Sequence, residues 1–296
     1  MKSSLLKHSS VVWGILAGTF FVLFALYSYL VYKDHFVIST LQLQQQLVQR
    51  PLTGFDCILR QWRRLGEVPA SLVILPGLCV LCWLLGYRKR VALVLLLLLG
   101  IGVGVEYVGK QVIAQPVPDA LQRGLDTLGC PQDIHQSRVN HLELMLGLWW
   151  EAPPPTQWQM QLKEIGATVS LYDSSAFNDY GYPSGHAIRW LLIGLVACWL
   201  FWRQVRQRPL RWLLMLIAVL VAFGGGFAQF YIGAHLFTDM IGGYLMGLSL
   251  ACCAIAFLST NEGRSRFTRR DQCSLSIDRN SDTLVKTLGT DLVESG

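Results

Sequence analysis

Residues 88–110 read RKRVALVLLLLLGIGVGVEYVGK, a basic triplet followed by a long apolar run whose first carboxylate is Glu106 and whose next cation is Lys110. A helix needs roughly 20 apolar residues to cross a hydrocarbon core about 30 Å thick, and the run from 91 to 109 meets that length. Such a segment belongs in a bilayer, and it is not alone in the chain. Five further runs appear, at about 11–32, 69–87, 186–202, 212–234 and 240–258. The expected fold is therefore all-α, a polytopic membrane protein with six transmembrane helices. The first run follows Lys2 and Lys7 as a signal peptide would, but it is too long for one and no small-residue cleavage pattern follows, so it is read as a retained helix.

Composition agrees. The 296 residues are 52% hydrophobic and 15% charged, against roughly 25% charged in soluble domains. The mean hydropathy is +0.40 and the pI about 8.9. A net charge of +6 could suggest nucleic acid, but the cations sit in short clusters beside apolar runs and form no single soluble face, so no nucleic-acid partner is expected. Lys2 and Lys7, the 88–90 triplet, Arg203 with Arg206, Arg208 and Arg211, and Arg264 to Arg270 all fall on one side of a six-span chain. The positive-inside bias then makes both termini cytoplasmic, and the expected location is the cell membrane with the active site on the outer face; loop 33–68, which carries Arg60, Arg63 and Arg64 on the outer side, departs from the bias.

The expected organisation is a membrane domain over 1–258 and a polar, cytoplasmic, disordered tail over 259–296. The outward stretch 110–185 is expected to cap the domain, with helical spacing at 138–150 and 157–165 separated by three prolines. The eight cysteines have no zinc-like spacing, although Cys57 and Cys130 both fall in outward loops and could pair in an oxidising compartment.

Ionisable groups near membrane spans are uncommon and suggest function. On this topology Glu106, Lys110, His186, Arg189, His235 and Asp239 all collect at the outer ends of spans. His235 and Asp239 are four residues apart, so on a helix they share a face and the carboxylate can hold one imidazole nitrogen. In Tyr182-Pro-Ser-Gly-His186, Ser184 is a suitable N-cap and the first amides of the helix could bind an anion. The plainer alternative is that these residues mark helix starts at the interface. Glu106 lies one turn before Lys110 and is read as its structural ion-pair partner.

In order and spacing these segments resemble the phosphatidic acid phosphatase type 2 superfamily, which includes lipid phosphatases and vanadium haloperoxidases. The first motif of that family, Lys followed by Arg-Pro-Arg-Pro, reads Lys110 with Gln115-Pro116-Val117-Pro118. The second, Pro-Ser-Gly-His, is intact at 183–186, and the third, Ser-Arg with a later His and Asp, reads Ala228-Gln229 with His235 and Asp239. Gly242, Gly243 and Gly247 are similar to the family's small-residue helix, so the likeness extends over about 106–247.

The resemblance implies hydrolysis of a lipid phosphate or pyrophosphate through phosphohistidine, with no cofactor and no metal. It implies His235 as nucleophile, Asp239 as its orienting carboxylate and His186 as acid and then base, with Lys110, Ser184 and Gly185 holding phosphate oxygens. The family arginines are replaced by Gln115, Val117 and Gln229. Arg189, one helical turn after His186, is expected either to substitute for a missing arginine or to snorkel to the interface. The alternatives to a phosphatase are a head-group phosphotransferase and a non-enzymatic lipid-binding protein. The lipid and the oligomeric state are left open.

Overall fold

The computed structural model describes residues 2–51, 54–64, 68–113, 115 and 181–260. Among these residues there are eight helices and no strand. They are α1 (Lys2–Tyr32), α2 (Val37–Val48), α3 (Gly54–Arg64), α4 (Val68–Leu84), α5 (Lys89–Ile113), α6 (Gly185–Gln204), α7 (Arg208–Tyr231) and α8 (Phe237–Ser259). The expected cap helices at 138–150 and 157–165, Val117 and Cys130 lie outside the described residues, as does the tail beyond 260.

Five of the helices, α1 from Ser10 together with α5, α6, α7 and α8, are long and apolar enough to cross a membrane. The chain is an integral membrane protein. The expected second span at 69–87 corresponds to α4, whose 17 residues reach only about 25 Å at 1.5 Å per residue. Length separates α4 from the other five. The connection 33–68, expected as a loop, carries α2 and α3 instead. In α2 the buried positions Val37, Leu41, Gln44 and Leu47 recur at helical spacing, but glutamines diluted the apolar signal by which such a helix is read.

Residues 185–194 of α6 are buried in succession, as expected of a helix enclosed on every side. It packs against α7 and α8, while α1 packs along α8. Small residues permit these approaches: a methyl group added at Gly194 would lie 2.6 Å from the Ala222 Cβ, and one at Gly247 would lie 2.8 Å from the Leu191 Cβ. Leu75, Leu95, Leu98, Ile188, Leu192, Val196, Leu250 and Leu258 form the main core between α4, α5, α6 and α8. By contrast Ile15, Leu93, Leu97, Leu216 and Leu220 are exposed, which is the arrangement of a helix bundle whose outer surface meets lipid tails.

Polar contacts also tie the helices together. Ser249 Oγ donates to the Ala17 carbonyl at 2.9 Å, joining α8 to α1. Gln44 Nε2 donates to the Phe230 carbonyl at 3.3 Å, setting α2 against the end of α7. Leu47, Phe230 and Met240 make a small second core there. Cys57 is disulfide-bonded, to a partner outside the described residues, whereas Cys79, Cys82, Cys198, Cys252 and Cys253 are free.

Candidate active site

The residues singled out in the sequence come from three helix ends. Glu106 and Lys110 lie near the end of α5, Ser184 to Arg189 at the start of α6, and His235 to Asp239 at the start of α8. Each end is shaped locally. Ser184 caps α6, its Oγ accepting from the Ala187 amide at 3.5 Å. Its own amide donates to the Asp239 carbonyl at 2.9 Å, so the α6 cap is fastened to α8. A methyl group at Gly243 would come within 2.5 Å of the Ser184 carbonyl oxygen, so only glycine permits this approach.

His235 does not share a helix with Asp239, contrary to the sequence expectation. The turn falls at 232–236, and α8 begins at Phe237. Gly233 has φ of 80°, a conformation that favours glycine. The Gln229 carbonyl then accepts from the amides of Ala234 at 2.9 Å and His235 at 3.2 Å, which fixes the turn. Asp239 stands in the first turn of α8, where its Oδ2 accepts from the Leu236 amide at 2.8 Å. That same oxygen lies 3.5 Å from His235 Nδ1, close enough for charge attraction and longer than a formed hydrogen bond. The His186 and His235 rings have centroids 6.0 Å apart and planes tilted by 59°. Both residues are buried, at 8% relative exposure each, and Asp239 is wholly buried.

The cations are arranged around Glu106. Its Oε1 lies 3.1 Å from Lys110 Nζ, the ion pair expected from the sequence, and its Oε2 lies 2.5 Å from Arg189 Nη1. Arg189 is 3% exposed, so it does not snorkel to the interface; the carboxylate holds it inside. A methyl group added at Gly185 would collide with the Glu106 carboxyl group. The anion at the start of α6 is thus one of the protein's own side chains, placed where the helix dipole favours negative charge.

Gln115 and Gln229, at two of the positions where the resemblance leads one to expect arginine, are both buried. Gln115 Nε2 donates to Thr238 Oγ1 at 2.9 Å, and the Gln115 main-chain carbonyl accepts from the Gly181 amide at 2.9 Å. This clasp joins the segments after α5, before α6 and at the start of α8. Gln229 Oε1 is buried with no hydrogen-bond partner among the described residues. A further layer comes from α1: Ser28 Oγ and the Tyr182 hydroxyl are 2.7 Å apart, and Phe24 stacks on the Tyr182 ring at 6.5 Å. Tyr182 is wholly buried and burial pushes its phenol pKa up, so the hydroxyl stays protonated and able to donate. Sequence reading missed this role for α1, because nothing in residues 24–28 announces a contact 154 positions away.

The sequence model of the family described as "PAP2 superfamily" matches residues 90–262. Among solved structures, the chain is similar to the "first transmembrane PAP2 type phosphatidylglycerolphosphate phosphatase from Bacillus subtilis" with a TM-score of 0.53 and 18% identity, covering 85% of this chain and 98% of that one. At that identity the likeness concerns the fold. No curated protein matches the chain.

Proposed function

The chain belongs to the PAP2 superfamily, and on that premise we propose that it is a membrane phosphatase that hydrolyses a lipid phosphate or pyrophosphate through a phosphohistidine intermediate. The observation that carries this reading is the pair of imidazoles 6.0 Å apart with a buried carboxylate against one of them. His235 attacks phosphorus while Asp239 orients its ring and balances the developing imidazolium charge. His186 gives its proton to the leaving oxygen and then takes one from water as water attacks phosphorus and the phosphorus–nitrogen bond to His235 breaks. Lys110, Arg189, the Ser184 hydroxyl and the Gly185 amide stabilise charge on the non-bridging oxygens.

In this reading α4 is the sixth span, a short one, both termini are cytoplasmic and the site opens at the outer face of the cell membrane. Residues 1–258 are the catalytic membrane domain and 259–296 a cytoplasmic tail. Neutral amides at Gln115 and Gln229 favour one second reading, a phosphotransferase that passes the group to an alcohol. Purified wild type and His235→Ala, compared on phosphatidate and a polyprenyl pyrophosphate with free phosphate and new lipid products both followed, decide among these. Release of phosphate by wild type alone supports the phosphatase, and a new phosphodiester supports the transferase. Equal background signals from both proteins would refute enzymatic activity.

A further inference from the structure

Successive residues from 181 to 184, which lead into His186, are held from different parts of the molecule. The Gly181 amide donates to the Gln115 main-chain carbonyl at 2.9 Å, and the Ser184 amide to the Asp239 carbonyl at 2.9 Å. Pro183 lies so close to α5 that a methyl group added at Gly109 would collide with it. Tyr182 is held by α1. Its ring is wholly buried and stacks on Phe24, with planes 7° apart, and a methyl group added at Gly242 of α8 would lie 2.6 Å from it. Its hydroxyl meets Ser28 Oγ at 2.7 Å. Phenylalanine would fill the same space at a lower cost of desolvation, so what the hydroxyl adds is the contact with Ser28.

The partner helix is turned toward this contact. Ala17, Phe24, Ser28 and Val31 recur at helical spacing, and Ala17 and Val31 are buried, so they mark the inward face of α1. Ser249 Oγ donates to the Ala17 carbonyl at 2.9 Å on that face, and Ser28 lies roughly 16 Å further along the axis at 1.5 Å per residue. Resting on the reading of His186 as acid and base, we infer that Tyr182 and Ser28 are positioning residues for the reaction. Through them α1, which lies outside the family match at 90–262, sets where His186 stands against His235. Tyr182 acts through the backbone. It fixes the chain just before the Ser184 cap, and the cap carries the Gly185 amide and the His186 ring. His235 comes instead from the turn before α8, so the 6.0 Å between the two rings depends on how the start of α6 seats on α8. Tyr182 occupies that seat, against Gly242. A displacement of about 1 Å between reacting groups can cost about a hundredfold in rate.

Steady-state kinetics on phosphatidate, with the full chain in detergent micelles and kcat taken per folded molecule, test this role. Tyr182→Phe and Ser28→Ala are each expected to lower kcat by about ten- to a hundredfold and to leave KM within about twofold of wild type. The double variant should be no slower than the slower single one, since both changes remove one contact. Ser28→Thr, which keeps the hydroxyl, should keep most of kcat. Ser249→Ala removes the contact with Ala17, far from the site, and should lower the unfolding midpoint while leaving kcat within about twofold of wild type. A second measurement does not depend on turnover. In protein labelled with carbon-13 at the histidine rings, the His186 resonance, assigned by its loss in His186→Gln, should shift in Tyr182→Phe and in Ser28→Ala and stay in place in Ser249→Ala. An unchanged kcat or an unmoved His186 resonance in Tyr182→Phe, or changes as large in Ser249→Ala, overturns this inference and leaves the phosphatase reading standing. If wild type releases no more phosphate than His235→Ala from any ester, the phosphatase reading falls, and the His186 resonance then decides whether α1 positions that ring.

Discussion

At the scale of single residues, the site is governed by where charge is buried. Arg189 is the clearest case: a cation near the start of a buried helix persists because Glu106 meets it at 2.5 Å. Removing one partner of such a pair costs about 3–5 kcal/mol, since the other charge stays behind unpaired. Arg189→Met should therefore lower the thermal unfolding midpoint markedly, and Glu106→Gln/Arg189→Met should lower it by less than the two single changes added together. A sum that is strictly additive would show that the pair is not coupled. Asp239 has two duties, accepting from the Leu236 amide and facing His235. Asparagine keeps an oxygen for the first but loses the charge needed for the second. Asp239→Asn is expected to leave the unfolding midpoint within a few degrees of wild type while lowering kcat by roughly 10²–10⁴, by analogy with carboxylate removal from a serine-protease triad. His235 and Asp239 were readable from their spacing, though for a different reason than the one that holds: they meet across a helix start, not along a helix face. The Arg189–Glu106 pair was not readable, since 83 residues separate its members.

Among the elements, α6 and α8 depend on each other. The Ser184 amide bonds to the Asp239 carbonyl, and Gly243 gives the Ser184 carbonyl the space to come close. Gly243→Ala should overpack this crossing by about 1–3 kcal/mol and part His186 from His235. Gly100→Ala in α5, where nothing lies within 4 Å of an added methyl group, should be neutral or stabilising by up to about 1 kcal/mol through helix propensity. Activity and unfolding midpoint measured on both variants check the contrast. Equal effects would mean that the close approach is not what makes glycine necessary at 243. The long helices were legible because a run of apolar residues is a local property. The two short helices α2 and α3 were not, because each is held by what it packs against. Gln44 of α2 bonds to the Phe230 carbonyl, and Trp62 of α3 stacks on Trp190 of α6 at 6.0 Å.

For the molecule as a whole, the proposed orientation rests on loop charge, and it makes a separate prediction. A cysteine placed at Gln207, in the exposed turn between α6 and α7, should react with a membrane-impermeant thiol reagent only after the cells are opened. One placed at His35, exposed between α1 and α2, should react in intact cells. The reverse pattern would invert the proposed topology and put the site on the cytoplasmic side. The sequence by itself determined that this chain enters a bilayer, roughly where its long helices run, and which histidines and carboxylate merit attention. Those properties depend on composition within a window of about 20 residues and on short spacings, which a linear reading contains. Tertiary structure alone decided that Glu106 joins Lys110 to Arg189, that Gln115 clasps Thr238 and that α1 braces Tyr182. These contacts exist only once helices distant along the chain are packed, and in an apolar interior each polar group takes whichever partner that packing brings within reach.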